Sequence, residues 1–316
     1  MNILLRAVCV AVALLSWCAL SPLTARAEIR YTVTDLGALE GRYNTEHGGT
    51  SQGLAINASG QIAGYSTGEG LTSSHAFLYD GTMHDLGTLG GDSSYGYGIN
   101  DSGMVTGEAD AIDGVHAFIY DGTMHDLGKL GGVNSFGHAI NNRGQVTGTS
   151  DTDETPSGRA FLYDGTMHDL GSLGGNHYQS FGFGINDNGQ VTGYSYWNNA
   201  ASSTHAFLYD GVMHDLGTLG GTNSQGYGIN NRGEVTGYSD TISDARTHAF
   251  LYDGVMHDLG SLGGPYSQGL AINNSGQVTG ISLTNSLANC AFLYEAGKGM
   301  IDLNTLIDPL SGWRLW

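Results

Sequence analysis

The chain of 316 residues is short of proline, cysteine and positive charge. It holds 4 Pro, 3 Cys, and 11 Lys and Arg against 30 Asp and Glu. Each scarcity removes a class of protein. A formal net charge of −19 repels phosphate and anionic lipid at long range. That excludes nucleic acid as a partner, because such binding rests on phosphate neutralisation. Cys9 and Cys18 fall in a leading export segment and Cys290 stands alone, so no intramolecular disulfide is expected. The place expected for Cys290 is a small apolar site in the interior. Long apolar runs are also lacking. The one candidate, residues 7–20, is shorter than the roughly 20 residues a membrane-spanning helix needs, and the chain turns polar at Ser21-Pro22. With Arg6 before it and Ala25-Arg26-Ala27 after it, this run has the layout of a signal peptide, residues 1–27. Residues 28–316 are then expected to form a single secreted domain with no membrane span, whether extracellular, periplasmic or at the cell surface.

Glycine is abundant instead, at 52 residues, far above an average near 7%. No G-X-Y period marks collagen, and the many Tyr, Phe, Val and Leu rule out a flexible linker. Glycine here serves turns and closely packed strands. The organising text is His205-Ala-Phe-Leu-Tyr-Asp-Gly-Val-Met-His-Asp-Leu-Gly-Thr-Leu-Gly-Gly221, which recurs from His75, His116 and His248 and, drifted, from Arg159 and Cys290. It reads as a β-hairpin: an apolar and aromatic run, an Asp210-Gly211 turn of two residues, and a returning strand. Both alternating sets of the first strand are apolar, so the strand needs cover on both faces. Between these hairpins lies a second one, Leu54-Ala-Ile-Asn-Ala-Ser-Gly-Gln-Ile-Ala-Gly64 and five copies, with Asn first and Gly fourth in a type I turn.

The copies begin 41, 43, 46, 43 and 42 residues apart. Four short strands at a period of about 40–45 predict an all-β propeller of four-stranded antiparallel blades. Six repeats are complete, at about 50–91, 92–132, 133–175, 176–221, 222–264 and 265–307. A strand at 29–37 would close or flank the ring, and Ser311-Gly-Trp-Arg-Leu-Trp316 reads as the start of a partial seventh blade. An open edge there would favour self-association. A β-solenoid is the other fold considered; its coils are usually shorter. Apart from the last outer hairpin, where Phe292 to Met300 is two residues longer than its counterparts, length varies in the connections between hairpins, and antiparallel order puts all of these on one face, where binding loops usually lie.

No nucleophile–base set, P-loop or H-E-x-x-H is present. The histidines sit at repeat positions, which spreads them around a ring and does not converge them on a metal. Asp151-Thr-Asp-Glu154 is the nearest approach to a calcium loop and lacks its spacing. The sequence therefore calls for no metal and no cofactor. The idiosyncratic residues are Tyr194, Tyr196, Trp197 and Asn198 in the longest connection within a blade, and His177 and Tyr178 in the lengthened connection between blades. Flat aromatics beside amides suit a carbohydrate or another extracellular ligand, so these six are the candidate ligand-binding residues.

At His75-Ala-Phe-Leu-Tyr79, Asp85-Leu-Gly-Thr-Leu-Gly-Gly91 and Gly98-Ile-Asn-Asp-Ser-Gly-Met-Val-Thr-Gly107 the chain resembles the HAF-repeat family of bacterial proteins, described as probable extracellular repeat proteins. The likeness spans residues 31–306; Arg159 and Cys290 depart from its His position. The resemblance implies secretion and a repeat architecture, and no established activity. A recognition scaffold is the function expected. The rival is a propeller enzyme, a lyase or hydrolase working in the central channel, which would need polar residues that differ between blades at the axis; the inner strands read as nearly uniform. A purely structural envelope component is a third possibility.

Overall fold

The computed structural model describes residues 34–39, 49–67, 73–154, 158–175, 178–197, 203–242, 245–308, 310 and 312–315. The signal peptide and residues 29–33 of the expected leading strand lie outside them.

Among the described residues twenty-four strands, β1 (Thr50–Ile56) to β24 (Gly299–Asp302), form six four-stranded antiparallel blades in strict chain order. The blades span 50–85, 94–126, 131–169, 180–215, 220–258 and 263–302. One parallel pair, Thr247↔Tyr266, joins the fifth and sixth. Three blades begin two residues earlier than the sequence boundaries. The extra glycines of β9 (Gly131–Ile140), β17 (Gly220–Ile229) and β21 (Gly263–Ile272) pair with Thr152, Thr241 and Thr284.

The inner hairpin turns as its sequence dictates. Asn57 Oδ1 accepts from the Ser59 and Gln61 amides at 3.0 and 2.9 Å, and Gly60 takes φ +81°. The outer hairpin does not. Its register is Phe207↔Asp215, Leu208↔His214 and Tyr209↔Met213, so the connection is three residues, Asp210 to Val212, closed by the Asp210 amide on the Val212 carbonyl at 3.3 Å. The expected two-residue turn pairs Phe207 with His214 and is one residue out. The correction has a chemical result: it sets His205 Nδ1 2.9 Å from Asp215 and His214 Nε2 2.9 Å from Asp210. The histidines of the outer hairpins bond carboxylates of their own hairpin.

Blade packs on blade through one junction used five times. The Phe of each later blade is fully buried against the preceding blade's Ala and Leu, as Phe207 is against Ala160 and Leu170. Each buried Phe contributes about 1.5–3 kcal/mol. Two hydrogen bonds recur beside it. The turn Asn donates across the junction, Asn57→Asn100 O, Asn100→Asn141 O, Asn141→Asn186 O, Asn186→Asn230 O and Asn230→Asn273 O, at 2.9–3.1 Å. On the rim side, the amides of Ala76, Ala117, Ala160, Ala206 and Ala249 donate to a Ser hydroxyl of the next blade at 2.8–3.0 Å.

Both ends of the chain copy parts of this junction. Residues 34–39 form no strand, yet Leu39 N donates to Ser66 Oγ at 3.0 Å, as Leu173 N does to Ser195 Oγ, and Ser51 Oγ donates to Gly37 O. The segment Asp35-Leu-Gly37 thus lies on the first blade where a preceding blade's last strand would end. At the other end Leu315 O accepts from Ala291 N at 3.4 Å, the role a Ser hydroxyl of the next blade plays at the five junctions. Leu303, Ile307 and Leu315 bury one another over Ala291 and Leu293.

Candidate functional site

The first strand of each blade is innermost, and its free positions differ from blade to blade. The position after the glycine at 53, 96, 137, 182, 226 and 269 holds Leu54, Tyr97, His138, Phe183, Tyr227 and Leu270; the position before it holds Gln52, Tyr95, Phe136, Phe181, Gln225 and Gln268. Facing that second set across the hairpin stand Tyr65, Glu108, Thr149, Tyr194, Tyr238 and Ile281. The expectation of a uniform inner wall is therefore wrong. The turns and glycines are constant; the side chains between them are not.

Glycine fixes the backbone that carries this variation. A Cβ on Gly193 would collide with the Phe181 carbonyl oxygen and stand 3.0 Å from the Phe207 ring. The freedom left to the wall is in the alternating side chains. Rings run from blade to blade along it: Tyr65–Tyr95 at 5.0 Å, Tyr97–His138 at 6.3 Å, His138–Phe183 at 5.1 Å and Phe183–Tyr227 at 5.1 Å. These are ordinary aromatic contact distances. Burial holds the His138 imidazole below its usual range, against its bond to Gly182 O. Burial likewise raises the Glu108 carboxyl, which sits beside Tyr97.

In the second, third and fourth blades a ring, Tyr95, Phe136 or Phe181, occupies the position before the glycine. In the fifth and sixth the residue is Gln225 or Gln268, and a cavity of about 560 Å³ opens there. It is lined by Thr204 of the fourth blade, Asn223, Gln225, Tyr227, Tyr238, Asp240 and Thr247 of the fifth, and Tyr266 and Gln268 of the sixth. These are the strand ends away from the tight turns, so the pocket is on the face of variable connections. Its polar groups hold one another in place. Tyr227 donates to Gln225 Oε1 at 2.9 Å and Tyr266 to Gln268 Oε1 at 2.6 Å. Asp240 accepts from Asn223 Nδ2 and Thr247 Oγ1, both at 2.9 Å. Burial pushes the Tyr238 phenol up to about 12 and raises Tyr227 and Tyr266 also. All three are neutral hydroxyls at physiological pH, each able to donate and accept.

The six residues singled out by sequence divide. Asn198 and His177 lie outside the described residues. Tyr194 is on the inner wall, stacked on Phe181 at 4.7 Å and 5.7 Å from Phe183, which stacks on Tyr227 of the pocket. Tyr196 follows it on the same strand face, 6.4 Å from Tyr194. Trp197 does not join them. Strand alternation sends it the other way, where its ring stacks on His205 at 5.0 Å and is 36% exposed. Tyr178 rests on Gly174, and its carbonyl accepts from Arg159 Nη1 at 2.7 Å. Arg159 also reaches Asp169 with Nε, the carboxylate a His takes in other blades. The pocket residues themselves were missed. Their signal was the replacement of a ring by Gln at positions 225 and 268, concealed in text that otherwise repeats.

Among the described residues no three His, Cys, Asp or Glu gather to hold a metal, and no helix is long and apolar enough to cross a membrane. Cys290 is buried and unpaired, as expected of an interior residue.

Among solved structures the chain is similar to the β-propeller domain of the Trilobed protease from Pyrococcus furiosus, which has an open velcro topology. The TM-score is 0.55, with 13% identity over 83% of this chain and 84% of that one. The chain is a β-propeller. It is also similar to the Aleuria aurantia lectin in complex with alpha-methyl-L-fucoside, with a TM-score of 0.43 and 11% identity over 80% of this propeller and 92% of the lectin. For TolB from Acinetobacter baumannii the TM-score is 0.45, with 14% identity over 66% of this chain; the propeller spans only 53% of TolB. At these identities the likeness is one of fold. A family described as "Protein of unknown function (DUF3466)" matches residues 172–263, which include the whole fourth and fifth blades. No curated protein matches the chain.

Proposed function

We propose that this propeller is a secreted or cell-surface recognition scaffold that binds a polyhydroxylated ligand, such as a carbohydrate, in the pocket around Tyr238. The observation that carries the reading is the pocket's composition. Three tyrosine hydroxyls, two Gln amides, Asn223, Thr204, Thr247 and Asp240 converge on about 560 Å³, a volume typical of small-molecule sites. Aromatic rings supply flat apolar surface and the amides supply paired donors and acceptors, which suits alternating C–H and O–H faces. The signal-peptide layout of residues 1–27 and the HAF-repeat resemblance support an extracellular setting. In the rival reading, an enzyme acting on such a ligand, glycoside hydrolysis would ordinarily need two carboxylates. The pocket lining offers Asp240 alone, with both its oxygens already bonded.

A glycan array with the mature chain tests the reading. Binding to a defined glycan subset is expected, reduced at least tenfold in Tyr238→Ala with the thermal unfolding curve retained. No binding above background, or binding unchanged in Tyr238→Ala, would overturn it. Turnover of a bound glycan would favour the enzyme.

A further inference from the structure

The two end blades are written differently. At each junction the residue after the turn Asn accepts a backbone N–H from the blade before it. Asp101, Asn142, Asp187, Asn231 and Asn274 do so at 2.9–3.0 Å. The first blade has Ala58 at this position, which has no such acceptor, and Ala63 where the second to fifth have Thr. Residues 34–39 already lie on that face.

The sixth blade keeps the whole donor set, and among the described residues nothing meets it. Asn57, Asn100, Asn141, Asn186 and Asn230 are 3–5% exposed, but Asn273 is an exposed residue. Its Nδ2 reaches only Gln277 of its own turn, at 2.6 Å. Thr106, Thr147, Thr192 and Thr236 are fully buried and donate to the Phe carbonyl of their own third strand, while Thr279 is part-exposed. The C-terminal segment covers Ala291 and Leu293 on the rim side. No described residue covers the turn side.

We infer that the outward face of the sixth blade is a docking surface for one more hairpin of this same Ile-Asn-Asn/Asp-x-Gly repeat. The donors it presents, Asn273 Nδ2 and Asn274 N, are those that five internal junctions satisfy with a turn carbonyl and an Asn or Asp side chain. The matching occupant therefore carries both. A second copy docking through its first blade is the poorer fit, since Ala58 lacks the acceptor and residues 34–39 occupy the approach.

The test uses the full chain and a labelled peptide of residues 220–241 from its own fifth blade, which bears the Asn230-Asn231 turn. Saturable one-to-one binding is expected. Asn273→Asp in the chain, which removes the Nδ2 donor and keeps the Oδ1 that accepts from the Ser275 and Gln277 amides, should weaken it at least tenfold, with the unfolding curve retained. Asn231→Ala in the peptide should weaken it as well, since it removes the acceptor for Asn274 N. Absence of saturable binding, or binding indifferent to these changes, would overturn the inference. So would concentration-dependent dimerisation that Asn273→Asp abolishes and the peptide does not compete, which would make a second copy the occupant.

Discussion

The outer and inner hairpins of each blade divide the molecule's work. The outer hairpin is nearly verbatim in copy after copy, and its structure is as uniform as its text. Phe77, Phe118, Phe161, Phe207, Phe250 and Phe292 are all fully buried, and a His–Asp bond recurs at its rim, as in His84–Asp80 and His257–Asp253. The inner hairpin keeps its turn and its glycines but varies two or three side chains per blade, and those line the axis and the pocket. Constant positions fix how blades stack; varied positions decide what the stack presents. A substitution should therefore be costly in the first set and nearly silent for stability in the second.

The strongest way to break the comparison is at the blade core. Phe207→Ala removes a fully buried ring packed on Ala160, Leu170 and Val191, and glycine at position 193 leaves no side chain to fill the space. A loss of about 3–5 kcal/mol is expected, read as the shift in urea-unfolding midpoint at unchanged slope. A loss below about 1 kcal/mol would mean that the outer hairpin does not set the stacking.

Much of this scaffold was legible because repetition amplifies weak signals. A single Ala-Phe-Leu-Tyr run is ambiguous; six at a steady period require strands covered on both faces. The Asn-x-x-Gly turn was readable because Asn bonds its own backbone and Gly takes positive φ. The outer turn was misread because Val212, and Thr82 or Thr123 in its place, are β-branched and look like strand residues, whereas they close a three-residue loop. Trp197 was grouped with Tyr194 and Tyr196 by proximity, although alternation puts it on the opposite side. The pocket was missed for the converse of the reason the fold was found. Reading for the repeat suppresses differences between copies, and the site is made of those differences.

A smaller effect is expected at His138, an inner-wall position. Its imidazole is held below the usual range by burial, so the folded chain favours the neutral ring with Nδ1 donating to Gly182 O at 2.7 Å. A depressed folded-state pKa leaves stability intact above the unfolded value of about 6.5 and lowers it as pH falls below that value. The rim carboxylates Asp80, Asp121, Asp210 and Asp253, lowered chiefly by hydrogen bonds from their His partners, act in a separate window. Their contribution is lost as pH falls through the carboxylate range, near 4 and below. His138→Phe, which copies Phe183, should cost about 1 kcal/mol at pH 8 through the lost hydrogen bond. It should also flatten the decline between pH 6.5 and 5. Denaturant midpoints at three pH values check this, and parallel declines in both proteins would show that His138 is not the titrating group.

The smallest effect on stability should come from the substitution that matters most to the pocket. Gln225 pairs with Tyr238 in the register in which Phe181 pairs with Tyr194, and in the fourth blade that pair stacks at 4.7 Å. Gln225→Phe therefore gives the fifth blade the wall of its neighbour. The hydrogen bond from Tyr227 to Gln225 is lost, but Gln268 also hydrogen-bonds the Tyr227 hydroxyl, so that group is not stranded. Against the lost bond of about 1 kcal/mol stands an aromatic pair worth about 0.5–1.5 kcal/mol. The net change should lie within about 1 kcal/mol of zero, while the new ring fills the space between Tyr238 and Tyr266. A thermal unfolding curve close to the parent's, together with at least a tenfold loss of whatever glycan the array identifies, is the expected pair of results. Marked destabilisation would mean that the inner wall is as constrained as the outer hairpin, and the division of labour between the two would fail.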